Sequence, residues 1–165
     1  MKKYEFTGET KQVELLFRTA TLHRIRAVVE FGFVKVGDLG GWIEKEENLS
    51  HEGKAWVCGD AKVWGNAKVC GDAKVCGDAE VFSASHVLVI GAIGSRNDFT
   101  TFYRDKDGEI TVKCGCFLGK IDKFLEKVTA THGNSKYALV YRAAVEVAKL
   151  QIDLSGEAPE QNNND

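Results

Sequence analysis

The stretch Val57-Cys58-Gly59-Asp60-Ala61-Lys62, Val63-Trp64-Gly65-Asn66-Ala67-Lys68, Val69-Cys70-Gly71-Asp72-Ala73-Lys74, Val75-Cys76-Gly77-Asp78-Ala79-Glu80 repeats one six-residue pattern. Val81-Phe82-Ser83-Ala84-Ser85-His86 is a decayed copy. A fixed period is the first thing to look for in a chain, because a missed repeat misassigns the whole fold. A helix would carry the valines round its axis, and a plain strand has no use for Gly-Asp at every sixth step. A coil of short straight sides satisfies both demands. Gly with Asp or Asn tolerates positive φ and turns each corner, while Val and the small Ala point inward. Three such sides close one coil, so residues eighteen apart should stack at roughly 4.8 Å. Val57 then lies under Val75, Val63 under Val81, Cys58 under Cys76 and Trp64 under Phe82. Lys62 under Glu80 is an opposite-charge rung. Asp60 under Asp78 is tolerable only at a solvated corner.

The pattern is similar to the hexapeptide-repeat class, and that resemblance implies the hand of the coil. The expected fold class is mainly β: a left-handed parallel β-helix of hexapeptide repeats over residues 53–89, with a C-terminal β-hairpin plus two α-helices. Residues 1–52 should supply N-terminal strands and a capping coil, because a repeat array must cover its open ends. Tyr4-Glu5-Phe6 and the alternating Leu22-His23-Arg24-Ile25-Arg26-Ala27-Val28 read as strands. Gly37 to Ile43 reads as a degenerate first coil. In residues 90–153, Phe99–Arg104 and Glu109–Phe117 flank the turn Asp105-Lys106-Asp107-Gly108. Ile121, Phe124, Leu125 and Val128 fall on one helical face, with Gly133 as the stop. A second helix should start near Asn134 or Ser135 and bury Tyr137, Val140, Tyr141, Ala144 and Ala148. Residues 154–165 read as a disordered tail. Trp64 and Phe82, pointing outward with Trp56 on the next side, need a cover. Flanking segments of the chain or a second subunit would serve, and the class resemblance implies a homotrimer.

Composition narrows the function. A chain of 165 residues holds one domain or two small ones, and 44% hydrophobic residues suit a folded core. A formal charge of −2 disfavours a non-specific grip on nucleic acid. No apolar run is long enough for a membrane span. Met1-Lys2-Lys3-Tyr4-Glu5 lacks the apolar core of a signal peptide, so the host-cell cytosol is the expected location. Glycine at 17 against a single proline suits a glycine-cornered repeat. Of the 5 cysteines, Cys58, Cys70 and Cys76 share one repeat position, and stacked reduced thiols are the expectation in cytosol. Cys114 and Cys116 have neither zinc spacing nor a compelling redox role.

The chain resembles a family of small proteins encoded by phages and prophages of Gram-positive bacteria. The resemblance rests on Lys3-Tyr4-Glu5-Phe6-Thr7-Gly8-Glu9-Thr10, on Val36-Gly37-Asp38-Leu39-Gly40-Gly41-Trp42-Ile43-Glu44 and on the Gly-Asp-Ala-Lys-Val repeats. It continues through Ile93-Gly94-Ser95-Arg96-Asn97-Asp98, Thr100-Thr101-Phe102 and Cys114-Gly115-Cys116-Phe117. It implies a source and a shape rather than a reaction. With it comes the expectation of a non-catalytic binder that sequesters a nucleotide-derived immune signal and so counters host defence. An interaction module that inhibits a host defence enzyme is the alternative, with a hexapeptide-repeat transferase behind both.

The candidate ligand-binding residues are Ser95, Arg96, Asn97, Thr100, Thr101, Arg104, Phe117 and His132. A glycine-led loop with hydroxyls and two guanidinium forks suits a phosphate or a nucleotide. Tyr103 or Phe117 would stack a base. The bland alternative is a surface hairpin whose threonines are ordinary strand formers. No catalytic residue, metal or cofactor is expected. Of His23, His51, His86 and His132, only His86 lies near the coil, too few for a zinc site and weak support for an acyltransferase base.

Overall fold

A computed structural model describes residues 1–156. The stretch Gln161-Asn162-Asn163-Asn164-Asp165, where the tail is most polar, lies outside the described residues. Strand β1 (Tyr4–Glu14) pairs antiparallel with β2 (Thr19–Ala27), and β2 pairs antiparallel with β3 (Leu39–Ile43). Four two-residue strands follow: β4 (Trp56–Val57), β5 (Lys62–Val63), β6 (Lys74–Val75) and β7 (Glu80–Val81). Then come β8 (Val87–Ile93), β9 (Asp98–Arg104), β10 (Ile110–Cys114) and β11 (Phe117–Lys120). The helices α1 (Ile121–His132) and α2 (Lys136–Gln151) end the fold.

The fold class differs from the expectation. The chain is mainly β with two helices, but it is not a left-handed parallel β-helix. A five-stranded mixed sheet has the order β1-β2-β3-β5-β7, and a four-stranded antiparallel sheet has the order β11-β10-β9-β8. The parallel pairs are β4 with β6, which form a two-stranded sheet of their own, and β3 with β5 and β5 with β7 inside the mixed sheet. The physical reason is the shortness of the repeat. Its sides are two-residue strands, whereas the flanking alternating segments form long antiparallel hairpins that carry most of the ladder. Residues eighteen apart do pair locally: Val57 with Val75, Lys62 with Glu80 and Val63 with Val81. These valines are fully buried, and Trp64 stacks on Phe82 with ring centroids 5.0 Å apart. Cys58 and Cys76 are joined in a disulfide with Cα atoms 4.6 Å apart, where free stacked thiols were the expectation.

The corners are where glycine is required. Gly53 and Gly59 hold φ of +66° and +63°, and a side chain at Gly53 would strike the carbonyl of Gly71 one rung away. The interior is a cluster of Val57, Val63, Val69, Val75 and Val81 with Ala61, Ala67, Ala73 and Ala79 between them. Trp64 and Phe82 are covered by the chain itself, through Val13, Ala20 and Leu22 of the β1–β2 hairpin and Trp42. Trp64 is thereby buried and Phe82 partly buried within the single chain. Tyr103 of β9 belongs to the repeat core, whereas Phe102 packs with Phe124, Tyr141 and Val145 of the helices. The antiparallel sheet thus stands between two cores and presents alternate residues to each.

Polar side chains tie off the entrance to the repeat. Asn48, fully buried, donates from Nδ2 to the carbonyls of Ala67 (2.9 Å) and Gly65 (3.2 Å) and accepts from Lys45 N–H at Oδ1. Lys3, also buried, donates from Nζ to Ala55 O at 2.8 Å, and Tyr4 Oη donates to Leu49 O at 2.8 Å. Each satisfies carbonyls that would otherwise be buried unpaired. Asn48→Ala should therefore destabilise the protein by about 2–3 kcal/mol, since it orphans buried acceptors and leaves a small void. Urea denaturation measures this, and a loss below about 0.5 kcal/mol would show that these carbonyls do not depend on Asn48.

Burial pulls the Lys3 ammonium down to about 8, against the opposing pull of Glu52 and Asp72. The unfolded chain, with an ordinary lysine, holds its proton more tightly between pH 8 and about 10. Over that window the folded state gains stability as pH rises. Lys3→Met lacks this gain. The stability difference between wild type and Lys3→Met should shift toward wild type by on the order of 1–2 kcal/mol between pH 7.5 and 9.5. Denaturation curves at the two pH values check it, and a constant difference would refute it.

Candidate functional site

The turn from β8 to β9, the turn from β10 to β11 and the facing sides of α1 and α2 enclose a cleft of about 220 Å³. Each wall has a local cause. The β8–β9 turn is led by Gly94 at φ +78°, and the hydroxyl of Tyr141 lies where a side chain at Gly94 would be. Gly115-Cys116 is a two-residue hairpin turn closed by the pair Cys114–Phe117, with Gly115 at φ +57° in its first position. The Arg96 guanidinium lies against Gly115 in the same way, so both turns need glycine to admit a side chain across them. On α1, Phe124, Lys127, Val128 and Thr131 recur at three- and four-residue steps and face the cleft.

The sequence-predicted residues divide. Arg96, Phe117 and His132 line the cleft together. Ser95 and Asn97 are exposed in the turn that carries Arg96, and Asn97 holds φ +49°. Thr100 is buried nearby on the same face of β9 and donates to Cys114 Sγ at 3.4 Å. Thr101 points the other way and accepts the Lys74 N–H at 3.0 Å, on the repeat side of the sheet. Arg104 is buried away from the cleft. It donates to the carbonyls of Ser155 (2.8 Å) and Gly156 (2.6 Å) and sits 5.1 Å from the Phe82 ring centroid. Tyr103, a candidate for stacking, is fully buried, donating to Cys76 O at 2.9 Å and accepting from Cys76 N–H. The alternation of β9 separates Thr101 and Tyr103 from Thr100, whereas Arg104 shares the Thr100 parity and leaves the site by lying at the far end of the strand, beside Ser155 and Gly156.

Tyr141, Lys127, Phe124 and Cys114 join the site without having been assigned to it. Tyr141 and Phe124 carried a signal in their helical spacing, which marks a buried face but not a cleft beneath it. Tyr141 stacks on His132 with ring centroids 5.8 Å apart and meets Phe124 edge-on at 5.7 Å. Burial raises the Tyr141 phenol, Cys114 adds to the rise, and Arg96 opposes it, so Tyr141 keeps its proton. Among the described residues that line the cleft, Arg96 and Lys127 carry positive charge and none carries a carboxylate, while Asp98 near the rim adds to the rise at Tyr141. Among the described residues no group of three or more His, Cys, Asp or Glu converges as a metal site. His86, the histidine nearest the repeat, is buried, accepts the Phe82 N–H at 3.1 Å and is held neutral first by burial and then by Arg104. It offers no general base to solvent.

No protein-family model matches this chain, and no curated protein matches it. Among the described residues no helix is long and apolar enough to cross a membrane.

Tyr141, which lines the cleft, packs where a side chain at Gly94 would stand. Gly94→Ala should cost about 1–3 kcal/mol, from the left-handed backbone and from displacing the phenol. Thermal and urea denaturation test this, and an unchanged midpoint would mean that Tyr141 moves aside freely.

Proposed function

We propose that the protein is a non-catalytic binder of a small phosphate-bearing ligand with a planar ring, of the nucleotide type, held in the cleft between the antiparallel sheet and the helices. The observation that carries this reading is the pairing of two kinds of group around one space. Arg96 and Lys127 supply positive charge for a phosphate, and Phe117, His132 and Tyr141 supply ring surface for a base. The guanidinium of Arg96 makes no hydrogen bond within the described residues and rests on Gly115, so its donors are open to a ligand. The resemblance to phage-encoded proteins supports sequestration of a nucleotide-derived immune signal in the host cytosol as the biological setting. No nucleophile paired with a base argues for turnover.

A second reading, docking on a host protein, is favoured by one observation. Leu139, Val147 and Leu150 are exposed along α2, on the side away from its buried residues. Self-association, implied by the class resemblance, would also have to use a surface such as this, because the Trp64–Phe82 face is covered.

Calorimetric titration with cyclic dinucleotides and cyclic ADP-ribose variants distinguishes the readings. A bound ligand should show saturable heat, and Arg96→Ala should weaken it about ten-fold or more by removing a charge-assisted contact, with little change in stability. No heat from any of them, together with recovery of a stoichiometric protein from host lysate, would replace the ligand reading with the docking one.

A further inference from the structure

The fold leaves one face of α2 open. The buried side of the helix packs through Ala138, Tyr141, Ala144, Val145 and Ala148 into the core it shares with α1 and the sheet. Leu139, Ala143, Val147 and Leu150 recur at steps of four, four and three, which sets them in one stripe on the other side. All four are exposed, Leu139 by 60% and Leu150 by 89%. A contiguous apolar stripe in water marks a contact surface. The charges beside it decide between a foreign protein and a second copy as the occupant. From Val140 to Gln151 the charged residues are Arg142, Glu146 and Lys149, and helical spacing places all three along one flank of the stripe. Their signs run plus, minus, plus. Two helices that pack face to face in opposite directions set each flank against the same flank of the other. A second α2 in that orientation brings Glu146 opposite Lys149 twice over, once from each copy. A helix running the same way would set the three charges against the flank of Val140 and Gln151, which has none. Within one chain Lys149 Nζ lies 3.4 Å from Glu146 Oε1, and both side chains stay open to solvent, so each is free to reach across.

We propose that the outer face of α2 is a self-docking surface, on which the α2 of a second copy lies antiparallel with Val147 beside the two-fold axis. The apolar stripe supplies the contact, and the flanking charges fix its direction and register. The same patch serves both copies, so the assembly closes at two and leaves no stripe for a third. One helix face is a small interface, which places the association in the micromolar range. Leu139, Glu146, Val147, Lys149 and Leu150 are not among the residues that line the cleft, so ligand binding and association stand or fall separately.

The test is the mass of the full chain in solution, measured by sedimentation equilibrium from about 1 to 300 μM. Wild type should pass from monomer to dimer across that range. Leu150→Lys should stay monomeric throughout, and the exposure of this side chain leaves the fold undisturbed. Glu146→Lys alone and Lys149→Glu alone should each weaken the dimer about ten-fold or more, because each sets like charges opposite one another at two places. Glu146→Lys and Lys149→Glu in one chain should restore the dimer, and so should an equimolar mixture of the two single variants. A foreign protein on this face predicts a monomer at every concentration, and a contact elsewhere on the chain predicts no restoration. Either result, or a mass above that of two chains, would overturn the proposal. Circular dichroism and thermal melting of each variant, which should match wild type, separate lost association from lost structure, and the mixture decides the register even if one variant is less stable.

Discussion

The last rung of the repeat ends in backbone groups that no further rung can pair, and β9 with the turn that follows it supplies their partners. Tyr103 exchanges two hydrogen bonds with Cys76 through one hydroxyl, Thr101 accepts from Lys74 N–H, and Lys106 N–H donates to Asp78 O. An unpaired strand edge is an invitation to another chain, and its buried amides cost free energy if left alone. Closing it with side chains from an antiparallel sheet fixes that sheet against the repeat. The opposite face of the same sheet is then committed to the helices, and the turns at its end are where the cleft forms. The cleft therefore depends on a capping problem solved some distance away.

Much of this was legible, and what was not has definite causes. The period of six located the corners and the buried valines, because glycine at a positive-φ corner and an inward β-branched residue leave a local signature. The hairpin turn at Asp105–Gly108 and both helices were readable for the same reason. Asp105 organises that turn by accepting from Asp107 and Glu109 N–H and from the Thr111 hydroxyl. The class of fold was not readable from the repeat, because a motif says how its own residues turn but not how many rungs the chain will build. Four two-residue strands do not outweigh two long hairpins. Strand β11 was hidden because Gly115-Cys116 continues the polar–apolar texture of β10 without a break in composition.

The candidate site was half visible. A dense polar segment pointed to Arg96, which lines the cleft, but it also drew in Thr101, which alternation turns to the repeat side, and Arg104, which shares the Thr100 parity but lies at the far end of β9. Arg104 shows how a charged residue can mislead: it is enclosed by an aromatic ring and the carbonyls of Ser155 and Gly156. Tyr141 and Lys127 come from helices whose approach to the sheet depends on tertiary packing alone. Nothing local in their sequence distinguishes a residue facing a core from one facing a gap in it.

A sheet with a hydrophobic core on either side cannot lose one without exposing the other. Phe102 and Tyr103 are adjacent in sequence, yet each is fully enclosed in a different core. If the helices detached, the sheet would present Phe102 of β9 and Val112 of β10 to water while still being needed to shield the valines. Repeat arrays ordinarily fray from their ends one unit at a time. Here the terminal unit is bolted to a wall with its own load on the far side, which favours an all-or-none melt over progressive unravelling.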